Sequence, residues 1–385
     1  MKKYALTFIL LLASVLLKAS EQYIISQTAL ERHLDGQSIN ALAKDHYGRL
    51  WVGTDLGVSI ISNGVVKTLT EAYTDHGRIV LSEVSDIICT DHALIASGSC
   101  IIDMKGDNGQ ASVLSYAGKP IDAEIIAEIG QLAVIFDKTS MSLYAYDMEE
   151  KQCKILRKFD KNGGFSFSAI LSRKDSCDKM EVLLIDRTKG VFRFDMGTGM
   201  MERIDKIVHP YPVDIADIDN SEGIIWLASS DHGVIGYNMN EGYAKIEEYT
   251  CFDNAISSIK ILPKGNLLVC CRRSGIYIIN RNMFGLNRIV KIDNGNVRNV
   301  SSILINPIKD EILLGTLDYG LVSMKKSFIG AIRKLNAVYD KLSPFNIAVS
   351  AFEEPDGSII IATGNDGIMW MDIKNKKIIL LSNFS

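Results

Sequence analysis

The sequence predicts an all-β protein, a β-propeller of seven or eight four-stranded blades. A phrase close to Asp-x-x-Gly-x-hydrophobic-Trp-hydrophobic-Gly-Thr-x-x-Gly-Val recurs along the 385 residues, clearest from Asp45 to Val58 and again from Asp219 to Val234. Each copy lies among four short runs rich in Ile, Val, Leu and Tyr, separated by Gly, Asn and Asp. Repeats of about 40 to 50 residues with four strand-like runs are typical of propeller blades, whose apolar faces are buried only against neighbouring units.

The period is measured from the glycine that opens the third run of each unit. These glycines follow one another in steps of 43, 42, 45 and 47 residues: Gly190, Gly233, Gly275, Gly320 and Gly367. The 133 residues between Gly57 and Gly190 equal three such steps, so two degenerate units are expected between them, near Leu94 to Ile102 and near Leu132 to Tyr146. The eight units counted lie near 38–70, 84–118, 121–158, 167–205, 212–250, 255–292, 299–338 and 346–383. The last is expected to close the ring or to begin a second propeller.

Within the first unit, the pattern predicts strands at Ser38 to Asp45, Arg49 to Thr54, Val58 to Ser62 and Val65 to Thr70. The runs are too short and too interrupted for helices. Trp51 marks one position of the repeat, here called the Trp slot. Two residues after this position, six units have a small residue: Gly53, Ala96, Ala228, Cys270, Gly315 and Ala362. This indicates that neighbouring strands or blades approach the backbone closely there. Trp51 and Trp226 share one repeat slot and are predicted to be core residues rather than sugar-stacking residues.

The N-terminus has the features of a secretory signal peptide. Lys2 and Lys3 precede an apolar run from Ala5 to Leu17, and Ala19 or Ser20 offers a small residue for cleavage. A run of this length falls short of the roughly 20 residues that a membrane span needs. We expect residues 1–20 to be removed and residues 21–385 to form a periplasmic product with no later membrane span.

Charge and spacing disfavour several functions. The net charge of −4 and the pI near 5.9 provide no broad basic field for a phosphate backbone, so nucleic acid is not an expected partner. The six histidines and seven cysteines show no metal-binding spacing, and no cofactor is predicted. Two weaker alternatives stay open: a calcium-like loop from Asp217 to Gly223, and a disulfide between Cys89 and Cys100.

Candidate ligand-binding residues are taken from the turns between the second and third strands of each unit and from the connections between units, which share one face of a propeller. Tyr, His and Arg in these positions suit a polar, hydroxyl-rich or anionic ligand through stacking and bidentate hydrogen bonds. The candidates are Arg187, His209, Tyr211, His232, Arg272, Arg273, Arg298 and Tyr319. No catalytic residue is predicted.

The stretch from Ile39 to Val58 resembles the two-component regulator propeller repeat, which builds the periplasmic sensor region of hybrid two-component systems in Bacteroidetes. The resemblance extends over the mature chain and is strongest in units one, five, seven and eight. It implies a ligand sensor that acts in signal transduction, with paired sensor chains as partners. The family layout also implies a second propeller, a membrane helix and a kinase, none of which is expected within these residues.

The leading hypothesis is therefore an exported sensor that binds an oligosaccharide or a similar nutrient. An alternative is a stand-alone periplasmic polysaccharide lyase or glycosidase, for which His209, Tyr211, His232 and Arg272 are the candidates. A third is a protein-interaction scaffold or the remnant of a truncated sensor. The sequence leaves open the ligand, the number of blades in the ring, the disulfide pairing and whether the chain forms a homodimer.

Overall fold

The computed structural model describes residues 22–27, 34, 38–90, 92–174, 180–250, 255–281, 289–292, 297–306, 311–327, 348–353, 358–363, 367–372 and 377–382. The predicted signal peptide, residues 1–20, lies outside them. The described residues form 36 strands, and their only helices are single 3₁₀ turns at Lys161–Gly163 and Pro263–Gly265. The predicted all-β fold is confirmed.

Strand β1 is Gln22–Gln27, and the first three blades follow it along the chain. Blade 1 consists of β2 (Ile39–Lys44), β3 (Leu50–Thr54), β4 (Gly57–Ser62) and β5 (Val65–Leu69). A hairpin of β6 (Glu71–Thr74) and β7 (Gly77–Val80) leads to blade 2, which consists of β8 (Val84–Cys89), β9 (Ala93–Ser97), β10 (Cys100–Met104) and β11 (Ala111–Val113). A shorter hairpin of β12 (Ser115–Tyr116) and β13 (Lys119–Pro120) leads to blade 3, which consists of β14 (Ala123–Ile129), β15 (Leu132–Asp137), β16 (Ser142–Asp147) and β17 (Gln152–Lys158).

The remaining blades repeat this order. Blade 4 consists of β18 (Phe167–Lys174), β19 (Met180–Asp186), β20 (Gly190–Phe194) and β21 (Met201–Arg203). Blade 5 consists of β22 (Ile215–Asp219), β23 (Ile224–Ser229), β24 (Gly233–Asn238) and β25 (Ala244–Tyr249). Blade 6 consists of β26 (Ile256–Ile261), β27 (Leu267–Cys271), β28 (Gly275–Ile279) and β29 (Ile289–Ile292). The first three strands of blade 7 are β30 (Val300–Asn306), β31 (Glu311–Thr316) and β32 (Gly320–Ser327).

The ring closes with seven blades. The first strand of each blade contacts the first strand of the next, and β30 of blade 7 contacts β2 of blade 1. The fourth strand of blade 7 is β1, which pairs with β32. The Ser301 hydroxyl of β30 donates a hydrogen bond to the Ile39 carbonyl of β2, which joins the last blade to the first. The structure thus selects seven from the two blade counts that the sequence allowed.

The eighth repeat forms a four-stranded sheet of its own. It consists of β33 (Ala348–Glu353), β34 (Ile359–Thr363), β35 (Ile368–Asp372) and β36 (Lys377–Ser382). This sheet belongs to a compact unit that includes Lys326–Ser385 and is distinct from the unit Ile24–Lys325 that contains the blades.

The repeat residues have the packing roles that the sequence predicts. The four strands of blade 1 begin and end within one residue of the expected bounds. Trp51 and Trp226 are buried. A Cβ atom at Gly53 would lie 2.6 Å from Val84 Cγ1 and 3.2 Å from Ile87 Cδ1, both in the first strand of blade 2. The small-residue slot therefore marks a close approach between blades.

The hydrophobic core is a series of clusters between consecutive blades rather than one central core. Between blades 1 and 2, for example, Trp51, Ile60, Leu81, Ile95 and Ile102 pack together. Similar clusters join blades 2 and 3, 3 and 4, 4 and 5, 5 and 6, and 7 and 1. Blades 1 to 5 therefore each bury apolar side chains against both neighbours, as expected for stacked repeats.

The cysteines of the described residues form no disulfides with one another. Cys89 and Cys100, the pair considered for a disulfide, are not bonded to each other, and the other three are Cys153, Cys270 and Cys271. Burial raises the pKa of Cys153 to about 11. These residues therefore serve as apolar packing groups and not as thiolate nucleophiles. Cys177 and Cys251 lie outside the described residues.

Candidate functional site

The turns between second and third strands and the connections between blades lie on one face of the ring, here called the connection face. Hydrogen bonds join the two sets. The Asp55 N–H, in the turn after β3, donates to the Ser38 carbonyl at 3.3 Å, and the Asp55 carbonyl accepts from the Glu83 N–H at 3.1 Å. Ser38 and Glu83 directly precede the first strands of blades 1 and 2. These backbone hydrogen bonds hold together the turns and connections that carry the side chains of the connection face.

Arg187 lies in the corresponding turn of blade 4, where its backbone makes the same two bonds. Its N–H donates to the Ser166 carbonyl and its carbonyl accepts from the Val213 N–H, both at 2.8 Å. The guanidinium Nη2 lies 3.1 Å from Asp214 Oδ1, and Asp214 Oδ2 accepts from the Ser230 N–H at 2.9 Å. Arg187 therefore links the turns of blades 4 and 5 and is less available to a ligand than its exposed position suggests.

Three predicted residues come together between blades 4 and 5. The Tyr211 and His232 rings stack with centroids 3.3 Å apart and planes at 10°. The His209 ring meets Tyr211 edge-on at 6.4 Å, and His209 Nδ1 lies 2.7 Å from the Tyr211 carbonyl. The buried Tyr237 donates its hydroxyl to the Val208 carbonyl at 2.7 Å, which anchors the segment beneath them. The result is a fixed aromatic pair on the connection face.

Burial favours the neutral form of His209. Burial lowers its pKa and outweighs the hydrogen bond to the Tyr211 carbonyl, which acts in the opposite direction. Because a carbonyl only accepts, Nδ1 of His209 carries the proton and Nε2 keeps its lone pair. Nε2 is buried and has no hydrogen-bond partner within the described part of the chain.

The other four predicted residues lie on the connection face in blades 6 and 7. Arg272 and Arg273 form the turn after β27, where the Arg272 N–H donates to the Ala255 carbonyl at 2.8 Å. Both side chains are exposed, as is that of Arg298 in the connection to blade 7. Tyr319 is half-buried in the turn after β31, where its N–H donates to Thr316 Oγ1. Within the described residues, no ring contact joins them to the Tyr211–His232 pair.

The opposite face, here called the hairpin face, carries a cavity that sequence reasoning did not identify. Its volume is about 350 Å³. It lies at the ends of β22, β26 and β30 and is lined by Asp217, Ile218, Asp219, Asn220, Ser221, Lys260, Ile261, Leu262, Pro263, Lys264, Gly265 and Ile305. The turn from Asp217 to Gly223, considered as a calcium loop, forms part of its wall. In the described residues, no group of three or more His, Cys, Asp or Glu side chains is placed to hold a metal ion.

A seven-bladed β-propeller with a polar connection face is the class of protein that these features define. Residues 33–55 match the family described as two component regulator propeller, which confirms over that segment the resemblance predicted from the sequence. No curated protein matches the chain.

Solved structures from B. thetaiotaomicron share the fold. The extracellular domain of the one component system BT4673 is 15% identical, with a TM-score of 0.57 over 93% of this chain and 47% of that chain. The extracellular domain of the hybrid two component system BT3049 is 16% identical, with a TM-score of 0.59 over 94% of this chain and 49% of that chain. This chain spans about half the length of the solved structures it matches.

Within the described residues, no helix has the length and apolar character needed to cross a membrane.

Proposed function

We propose that the propeller is the ligand-sensing part of an exported signal-transduction protein. The observation that carries this proposal is the connection face, where a fixed Tyr211–His232 stack and the exposed Arg272 and Arg273 are presented on a rigid ring. The likeness to extracellular domains of one component and hybrid two component systems supports the sensing role. The predicted signal peptide supports export to the periplasm.

The proposed ligand is an oligosaccharide or a similar polar nutrient. Aromatic faces stack on sugar rings, and guanidinium groups form bidentate hydrogen bonds with hydroxyl or carboxylate oxygens. Among the described contacts, Arg272, Arg273 and Arg298 have no acidic side-chain partner, so their donors are available. Signalling further requires that the ligand bind one arrangement of a pair of sensor chains more tightly than another. A homodimer or a second sensor chain is the proposed partner.

The test is titration calorimetry of the mature chain against a panel of neutral and uronate-containing oligosaccharides. Tyr211→Ala should weaken binding about tenfold, because it removes the stacking surface. Tyr211→Phe is the matched control and should bind nearly as the parent does. The double variant Arg272→Ala, Arg273→Ala should fold normally and bind more weakly. Parent-like affinity in both the Tyr211→Ala and the double arginine variant would exclude this face as the site.

A polysaccharide-active enzyme is a second candidate, because the structure brings together His209, Tyr211 and His232. A neutral His209 with a free Nε2 has the protonation state that a general base needs. Incubation with the same oligosaccharides separates the two functions. An enzyme releases products and loses turnover in the His209→Ala variant while it still binds substrate. A sensor leaves every oligosaccharide intact.

A further inference from the structure

We propose that the cavity on the hairpin face is a second binding site, for a small ligand that presents a hydrogen-bond donor from a sugar hydroxyl or a primary ammonium group. It lies at the opposite end of the inner strands from the connection face. The proposal does not depend on the proposed function, because none of the candidate residues of the connection face lines the cavity.

The floor of the cavity is built by the first strands of blades 5 and 6. Asp217 of β22 accepts a hydrogen bond from the Ile261 N–H of β26 through Oδ2 at 2.9 Å. Its Oδ1 lies 3.3 Å from Lys260 Nζ. An ammonium group has three protons, so Lys260 retains donors for a ligand after it has bonded Asp217. These contacts fix the acceptor and donor groups on adjacent strands.

Asp219 supplies a buried acceptor that is not used within the described chain. The residue is 4% exposed. Its Oδ1 accepts hydrogen bonds from the Ser221 N–H at 3.0 Å, the Ser221 hydroxyl at 2.6 Å and the Glu222 N–H at 3.2 Å. Its Oδ2 is buried and has no hydrogen-bond partner among the described residues. A buried carboxylate oxygen without a donor is costly, so a ligand that supplies one gains affinity.

A glycine borders the buried Oδ2. Gly265, also in the cavity wall, has φ of +73°, and a Cβ atom there would lie 3.3 Å from Asp219 Oδ2. The neighbouring Lys264 also has a left-handed φ, of +69°. Non-glycine residues rarely adopt this conformation, and such strain is concentrated at functional sites. The turn thus brings the backbone close to the carboxylate, and the same Cβ atom would lie 3.0 Å from Glu222 Oε1 and 3.3 Å from Arg281 Nη1.

The corresponding aspartate of blade 1 shows that the repeat itself does not require a free oxygen. Asp45 Oδ2 accepts from Trp51 Nε1 at 2.9 Å and from Arg49 Nε at 2.7 Å. In blade 5 the residue after the turn glycine is Ile224 instead of arginine, and Trp226 Nε1 has no partner in the described residues. In blade 5 the arginine donor is therefore missing, and the indole donor does not bond Asp219 Oδ2.

The cavity wall limits the ligand to a small amphipathic molecule. Ile218, Pro263 and Ile305 give it apolar surface beside the carboxylates and Lys260. Its volume is at the low end of ligand pockets, which suits one sugar ring or a molecule of similar size. A hydroxyl donor satisfies Oδ2 by a charge-assisted hydrogen bond, and an ammonium donor adds an ion pair.

The experiment is titration calorimetry of the full chain with three probes: glucose for the hydroxyl arm, ethanolamine for the ammonium arm, and glucosamine for both. We expect saturable binding in at least one arm. Asp219→Asn should weaken it about tenfold or more, because the amide keeps Oδ1 for the turn but replaces Oδ2 by a donor. Asp45→Asn is the matched control and should bind as the parent does.

No saturable binding of any probe, unchanged binding by Asp219→Asn, or an equal loss in Asp45→Asn would each overturn the proposal. If Asp219→Asn does not fold, Lys260→Gln replaces it and should weaken the same probe, and unchanged binding is again the contrary result. The double variant Arg272→Ala, Arg273→Ala should bind the probe normally. That variant distinguishes failure of this site from failure of the connection face.

Discussion

Blades 1 and 5 contain the two clearest copies of one repeat phrase, yet the phrase is used differently in each. In blade 1 the Trp51 indole donates to the turn aspartate Asp45, and the Arg49 guanidinium lies 5.8 Å from the Trp51 ring. In blade 5 neither Asp219 Oδ2 nor Trp226 Nε1 has a partner among the described residues. The same residue types therefore form a turn whose aspartate Oδ2 is hydrogen-bonded in blade 1 and a turn whose aspartate Oδ2 has no donor among the described residues in blade 5.

The residue opposite the tryptophan also differs between the two blades. Trp51 pairs with Ile60 across β3 and β4, whereas Trp226 pairs with Gly236 across β23 and β24. A Cβ atom at Gly236 would lie 2.8 Å from Trp226 Cζ3, so the indole occupies the space that a side chain fills in blade 1. The Trp226 ring therefore packs over Gly236, and its Nε1 has no hydrogen-bond partner among the described residues. Blade 5 thus lacks both the indole hydrogen bond and the arginine hydrogen bond that the turn aspartate accepts in blade 1.

The largest difference between the two blades is expected at the small-residue slot. Gly53→Val should cost more than about 3 kcal/mol, because even a Cβ atom there would lie 2.6 Å from Val84 Cγ1 of the next blade. Ala228→Val in blade 5 already begins from a residue with a Cβ atom and should cost about 1–3 kcal/mol. Urea denaturation of both variants measures the two losses in free energy of unfolding. Equal losses would show that Gly53 and Ala228 are packed equally closely.

A smaller difference is expected when each indole is replaced by a ring without a donor. Trp51→Phe leaves Asp45 Oδ2 with Arg49 alone, whereas Trp226→Phe breaks no hydrogen bond within the described residues. Both variants lose packing, so the difference between them isolates the hydrogen bond. Trp51→Phe should be less stable than Trp226→Phe by about 1 kcal/mol, measured by chemical denaturation. The reverse order would show that the Trp51–Asp45 bond adds no stability.

The smallest effect is expected at low pH. Burial by itself raises the pKa of Asp45, but the hydrogen bonds from Trp51 and Arg49 outweigh it and hold the pKa below its ordinary value of 3.8. A depressed folded pKa adds stability that is complete above the unfolded value and is lost as pH falls through the folded value. The parent should therefore lose more stability than Asp45→Asn as pH falls below 3.8. Trp51→Phe should reduce this loss, and a pH dependence identical in all three proteins would contradict it.

The candidate site was only partly predictable. Position in the repeat placed His209, Tyr211 and His232 on one face, and the structure brings their rings into contact. The ion pair of Arg187 with Asp214 was not predicted, because Arg187 lies in a turn of blade 4 and Asp214 lies 27 residues later, in the connection to blade 5. The cavity on the hairpin face was missed, although one signal was readable. Three residues separate Asp219 from Gly223, whereas two separate Asp45 from Gly48, so the turn of blade 5 is longer.

By itself the sequence determined the strands, their period and the buried slots, because alternation of apolar residues, turn glycines and repeat length are local properties of the chain. The tertiary structure decided the number of blades, since closure depends on β1 pairing with β32 and on β2 meeting β30, contacts between the two ends of the ring. It also decided which polar atoms are free. Whether a buried oxygen finds a donor depends on how an indole packs against the opposite strand, and no local pattern fixes that geometry.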